Sequence, residues 1–155
     1  MRSRRLLVLA SVTLASVAGF SAAGSQPKSS ENKVVVYKSA TCGCCKAWVE
    51  HLQANGFQVE PHDVGDARLQ AVETEAGVTN DIASCHTAKV GGYIVEGHVP
   101  AADIKQMLKT QPPITGLSAP GMPMGSPGME QGSRKDPYNV MAFTKGGRPT
   151  VFAKH

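Results

Sequence analysis

The sequence predicts an α/β protein: a thioredoxin-like sandwich with an added Pro/Gly/Met-rich loop and a C-terminal β-hairpin. Three observations lead there. Between Lys33 and Lys109 the apolar pattern runs strand, helix, strand, helix, hairpin, helix. Three of the four cysteines, in Cys42-Gly43-Cys44-Cys45, fall between the first strand and the first helix. A proline- and glycine-rich stretch then separates this unit from a final pair of apolar runs.

The first strand is the β-branched run Lys33 to Lys38. From Cys45 to Gln53, Ala47, Trp48 and Leu52 recur at helical spacing, and Asn55-Gly56 is a stop. Phe57 to Val64 alternates as a second strand, expected parallel to the first because a helix joins them. Asp66 to Glu75 is expected to be a helix capped by Asp66 and ended near Gly77. Thr87 to Val90 and Tyr93 to Glu96 flank Gly91-Gly92 as a hairpin. Pro100 suits a first helical turn, and Ile104, Met107 and Leu108 give a core-facing stripe up to Lys109. Residues 111–136 hold Pro112, Pro113, Pro120, Pro123 and Pro127 among glycines, a composition that predicts neither helix nor strand. Residues 138–153, with Lys145-Gly146-Gly147-Arg148 between two apolar runs, predict the closing hairpin.

The N-terminus reads as an export signal. Met1 to Arg5 is basic, Leu6 to Phe20 is apolar and uncharged, and Ser21-Ala22-Ala23 offers small residues for cleavage near Ala23. The apolar run is 15 residues long, short of the roughly 20 that a spanning helix needs. The expected organisation is therefore a signal peptide (1–23), a flexible tether (24–32) and one domain (33–155). Cleavage would leave no stable membrane insertion and a periplasmic protein in an oxidising compartment. The formal charge is +4. Three of those charges are Arg2, Arg4 and Arg5, so the domain itself is left near +1, and no nucleic-acid partner is expected.

In an oxidising compartment four cysteines could form two disulfides in three pairings. The spacing argues for chemistry instead. Cys42 and Cys45 make a CxxC pair at a helix N-terminus, where free N–H groups and the helix dipole favour thiolate. Thiolate is both the nucleophile of disulfide exchange and a ligand for soft metals. Dithiol exchange needs two cysteines, whereas a Cu(I) site gains from Cys44 and from Cys85, the fourth sulfur. Four thiolates also suit zinc, although three in one turn crowd a tetrahedral ion, so zinc ranks below copper. Further metal candidates are His86 beside Cys85, His98 in Gly97-His98-Val99-Pro100, and the thioethers Met122, Met124 and Met129, which lack helix or strand periodicity. His51 and His62 are expected to face solvent.

The set of motifs is specific: an exported chain with Cys42-Gly43-Cys44-Cys45, Cys85-His86-Thr87, Gly97-His98-Val99-Pro100 and Gly121-Met122-Pro123-Met124-Gly125-Ser126-Pro127-Gly128-Met129-Glu130. From about Lys33 onward it resembles the periplasmic copper-resistance protein CopG family. That resemblance implies a thioredoxin-like fold that binds copper through Cys42, Cys44, Cys45 and Cys85, at one ion or a small cluster, and a role in copper handling or redox interconversion. It extends with less force to His86, His98, Met122, Met124 and Met129. Metal ions and other periplasmic copper-handling proteins are the implied partners. The competing function is a periplasmic thiol–disulfide oxidoreductase, with Cys42 as nucleophile and Cys45 as resolving thiol.

Overall fold

The computed structural model describes residues 32–155. The expected signal peptide and the tether up to residue 31 lie outside the described residues.

β1 (Lys33–Lys38) lies inside the sheet, and Val34 and Val36 are fully buried on one face. α1 (Gly43–Ala54) begins two residues before the apolar spacing predicts. Cys42 is its N-cap, and the Cys45 N–H donates to Cys42 Sγ at 3.3 Å, satisfying one of the helix's orphan donors. Trp48, Val49 and Leu52 form its buried stripe. β2 (Gln58–Asp63) pairs parallel with β1, as a helical crossover requires. α2 (Asp66–Ala76) is capped by Gly65 rather than Asp66. Asp66 is instead its first residue and places negative charge at the positive end of the helix dipole.

β3 (His86–Val90) and β4 (Tyr93–Gly97) form the expected hairpin, with β3 antiparallel to β1. In α3 (Ala101–Thr110), Pro100 occupies the N-cap position, and Ile104 and Met107 enter the core. The stretch 111–136 departs from expectation, because Gly116–Ala119 forms β5, fully buried and parallel to β4 with α3 as the crossover. Its prolines all stand outside these four residues, so every N–H there is free to pair. β6 (Asn139–Phe143) and β7 (Thr150–Lys154) are the closing hairpin, added to β5.

The seven strands run β2-β1-β3-β4-β5-β6-β7. The main core gathers Val34, Trp48, Leu52, Val95, Ile104, Met107, Leu117 and Val140 from β1, α1, β4, α3, β5 and β6. On the other side of β1, the Arg68 guanidinium of α2 sits 6.0 Å from the Tyr37 ring centroid. The pairing that positions the site is at the C-terminal end of β1. Lys38, the last residue of β1, lies opposite His86, the first of β3, so the turn after β1 and the segment before β3 emerge side by side. Among the described residues no helix is long and apolar enough to cross a membrane.

Candidate metal and thiol site

The two cysteine-bearing segments converge where that pairing brings them. Cys42 and Cys45 are joined by a disulfide. Cys44 and Cys85 are free thiols. Cys44 Sγ lies 3.4 Å from Cys42 Sγ, and Cys45 Sγ lies 3.5 Å from Cys85 Sγ. The four sulfurs therefore form one patch, with all ligand atoms within 4.8 Å of one another. No disulfide joins the turn to Cys85, which stays free. Closing Cys42 to Cys45 withdraws two of the four expected thiolates, and the pairing is the one a CxxC redox dithiol makes. Lys46 is exposed and reaches Glu50 at 3.9 Å.

Cys85 belongs to a second group. Its Sγ lies 3.1 Å from His98 Nε2 and 3.4 Å from His86 Nδ1. Cys85, His86 and His98 again offer three ligand atoms within 4.8 Å. Both rings are fully buried, so neither histidine is a surface residue. His98 Nδ1 donates to the Pro127 carbonyl at 2.8 Å, because a carbonyl can only accept. That bond leaves the Nε2 lone pair facing Cys85, the arrangement by which a backbone carbonyl fixes the tautomer of a metal-binding imidazole. His86 packs on Trp48 at 4.4 Å between ring centroids and meets His98 edge-on at 5.0 Å. Among the described residues its Nε2 is buried without a hydrogen-bond partner, at a cost of about 1–3 kcal/mol.

Burial sets the electrostatics. The Cys85 thiol is pushed up to about 12 by burial, with nearby Cys44 adding to the rise. His86 is lowered to about 3 by burial, and burial also lowers His98. The site is thus a neutral thiol between two neutral imidazoles, with its nitrogen lone pairs available as soft-to-borderline donors. Binding a metal through Cys85 would release its proton.

The Pro/Gly/Met-rich loop reaches the site through its backbone. Besides Pro127, Gly128 presses on the first turn of α1. A Cβ there would stand 2.7 Å from the Cys44 carbonyl and 2.8 Å from the Trp48 nitrogen, and Gly128 has φ +85°. Only glycine meets both conditions without strain. Met124 and Met129 are half-buried, whereas Met122 is 55 % exposed.

Two solved structures match this arrangement over most of its length, and both are of a copper resistance protein CopG. Form 2 and form 1 are each 46 % identical to the chain, with a TM-score of 0.74. They cover 79 % of this chain, and 97 % and 96 % of their own. The chain belongs to the CopG family of copper resistance proteins. A family profile described as protein of unknown function DUF411 matches residues 82–129, the span from Ile82 through the methionine loop. No curated protein matches the chain.

For a CopG family member the cysteine cluster is compatible with copper binding. Other residues around it carry no motif. Trp48 donates to the Val99 carbonyl at 2.9 Å, beside His98. His51, expected in solvent, is half-buried, and its Nε2 accepts the Ala101 N–H at the start of α3. Its pKa is lowered by burial. Glu96 is fully buried and pushed up to about 8 by burial. A carboxylate in a strand beside the Gly97-His98 motif was the one available signal for it.

Proposed function

We propose that the chain is an exported protein that binds copper at a four-cysteine site, sequestering it or cycling it between Cu(I) and Cu(II), in the service of copper resistance. The observation that carries this reading is the position of Cys85, which stands in both an all-sulfur group and a Cys-His-His group. Four thiolates are a soft donor set that favours Cu(I). One thiolate with two imidazoles is a donor set used by copper in electron transfer. Oxidising the Cys42 and Cys45 thiols to their disulfide releases two electrons and two protons, sufficient to reduce two Cu(II) to two Cu(I). The same oxidation removes two sulfurs from the first group and leaves the second intact. The site's preference between copper states is thereby tied to its own redox state.

Met122, Met124 and Met129 would add thioethers, which take Cu(I) without losing a proton. A signal peptide over residues 1–23 would deliver the chain to the periplasm, where other copper-handling proteins would receive or supply the metal. Zinc fits four thiolates, yet it has no redox chemistry to couple to the disulfide.

Metal analysis of protein purified anaerobically from copper-supplemented cells tests the reading. At least one copper per chain is expected. Less than one, together with full insulin-reducing activity, sinks it in favour of the second reading. That second reading is a thiol–disulfide oxidoreductase, and the Cys42–Cys45 disulfide favours it.

A further inference from the structure

Glu96 is wholly buried, and its two oxygens are both committed to one short segment. Oε1 accepts the Ser84 N–H at 2.8 Å, and Oε2 shares a hydrogen bond of 2.7 Å with the Thr87 hydroxyl. Between those two residues stand only Cys85 and His86. Among the described residues Glu96 makes no ion pair. Burying a carboxyl that lacks a cation is costly, and an apolar side chain of similar size would pack in its place at less cost.

The location explains what an apolar residue could not do. Thr87 lies directly opposite Glu96 in the β3–β4 ladder, but Ser84 precedes β3 and has no ladder partner. The carboxyl reaches past the end of the ladder and ties down the residues just before the strand. Gly97 completes the grip. A Cβ there would collide with the Ser84 side chain and stand 2.8 Å from the Ala119 carbonyl, so Ser84 packs directly onto the β4 backbone. Next in line, His98 meets Cys85 Sγ. Three consecutive residues of β4 and its exit thus hold Ser84, Cys85 and Thr87 in place.

We propose that Glu96 is a positioning residue for the site: by bridging Ser84 and Thr87 it fixes Cys85 Sγ between Cys45 and His98. In its metal-binding consequence the proposal rests on the copper reading above; its geometric part does not. It predicts that hydrogen-bonding capacity at position 96 matters. Glu96→Gln can give its carbonyl to the Ser84 N–H and its amide to the Thr87 oxygen, and should preserve the arrangement. Glu96→Ala and Glu96→Leu cannot.

The test uses the full mature chain, reduced, in two measurements. Alkylation of Cys85 by N-ethylmaleimide is followed site by site by mass spectrometry in copper-free protein, with Cys44 as the internal reference. Cu(I) affinity is read by competition with a chromogenic Cu(I) chelator, alongside the copper–thiolate absorption. Glu96→Ala should raise the Cys85-to-Cys44 alkylation ratio and weaken Cu(I) binding, each by roughly 10-fold or more, the lower range for outer-shell partners of metal ligands. Glu96→Gln should match the parent in both. An unchanged Cys85 ratio in folded Glu96→Ala overturns the proposal, as does Glu96→Gln behaving like Glu96→Ala. If Glu96→Ala does not fold, Thr87→Val decides. A Cys85 ratio raised in Thr87→Val but not in Glu96→Gln supports the bridge, and equal ratios overturn it. If the parent binds no Cu(I), the copper reading fails while the alkylation ratios still judge Glu96.

Discussion

The cysteine turn and the β3–β4 corner meet at a few ångströms, yet they are built on opposite terms. The turn is a helix N-terminus at the surface, half-exposed apart from Cys45, and its internal link is a bond that reduction can open. The corner is buried, carries the two imidazoles, and is held by hydrogen bonds to Pro127, Ser84 and Thr87. The difference teaches that Cys42 and Cys44 are placed where reductants and ions can reach them, with Cys45 buried behind them. The two imidazoles are placed where the fold controls their distance from Cys85 and the tautomer of His98. Cys85 is the point of contact between the two.

The largest expected effect comes from removing that contact. Cys85→Ser should weaken Cu(I) binding beyond the roughly 100-fold upper figure for outer-shell partners, because it takes a donor from both groups at once. Chelator competition on the anaerobic protein measures it, and a loss no larger than that of Cys44→Ser breaks the view of Cys85 as shared. Next is the loop. Gly128→Val forces a branched side chain into positive φ and against α1, and should cost about 3 kcal/mol of stability in urea unfolding. A cost under about 0.5 kcal/mol, the range of ordinary surface substitutions, would mean that the loop does not press on the turn.

The buried corner should also leave its mark on the pH dependence of the copper-free protein. Glu96 keeps its proton to about pH 8 when folded but loses it near 4.5 when unfolded, so stability falls as pH rises between those values. His86 refuses a proton down to about 3 when folded but accepts one near 6.5 when unfolded, so stability rises as pH climbs from 3 to 6.5. His98 adds in the same sense. The two trends offset between 4.5 and 6.5, and above 6.5 the Glu96 loss stands alone at about 2 kcal/mol by pH 8. Urea midpoints at pH 6.5 and 8.5 should differ in the parent and converge in Glu96→Gln. The smallest effect belongs to the turn: Cys44→Ser should leave any insulin-reducing activity of Cys42 and Cys45 near the parent rate while lowering the copper bound. Unchanged copper stoichiometry would show that the third sulfur of the turn is not a ligand.

Much of the fold is legible because period and punctuation agree. The β-branched run at Val34 to Val36, the stop at Asn55-Gly56 and the hairpin at Gly91-Gly92 each combine a pattern with a turn signal. β5 is not legible, since Gly116-Leu117-Ser118-Ala119 is too short for periodicity and lies among prolines that predict a loop. Within the site, the residues whose side chains offer possible ligand atoms stand out: the CxxC pair, Cys85 and the two histidines beside small motifs. What escapes is contact made by backbone or by unexpected burial. The Pro127 carbonyl on His98 has no side-chain signature, and His51 looks like any exposed helical histidine until α3 is seen to begin against it. Glu96 is hidden for the same reason, as its partners are an amide and a hydroxyl rather than a charge.

The sharing of Cys85 bears on how an ion would change its surroundings. An ion passing from the sulfur patch to the imidazole pair could keep the Cys85 bond throughout, exchanging its other neighbours one at a time. Such a handover would be associative: it would never present a bare or fully hydrated ion, and its rate would be governed by the incoming donor rather than by escape into bulk water.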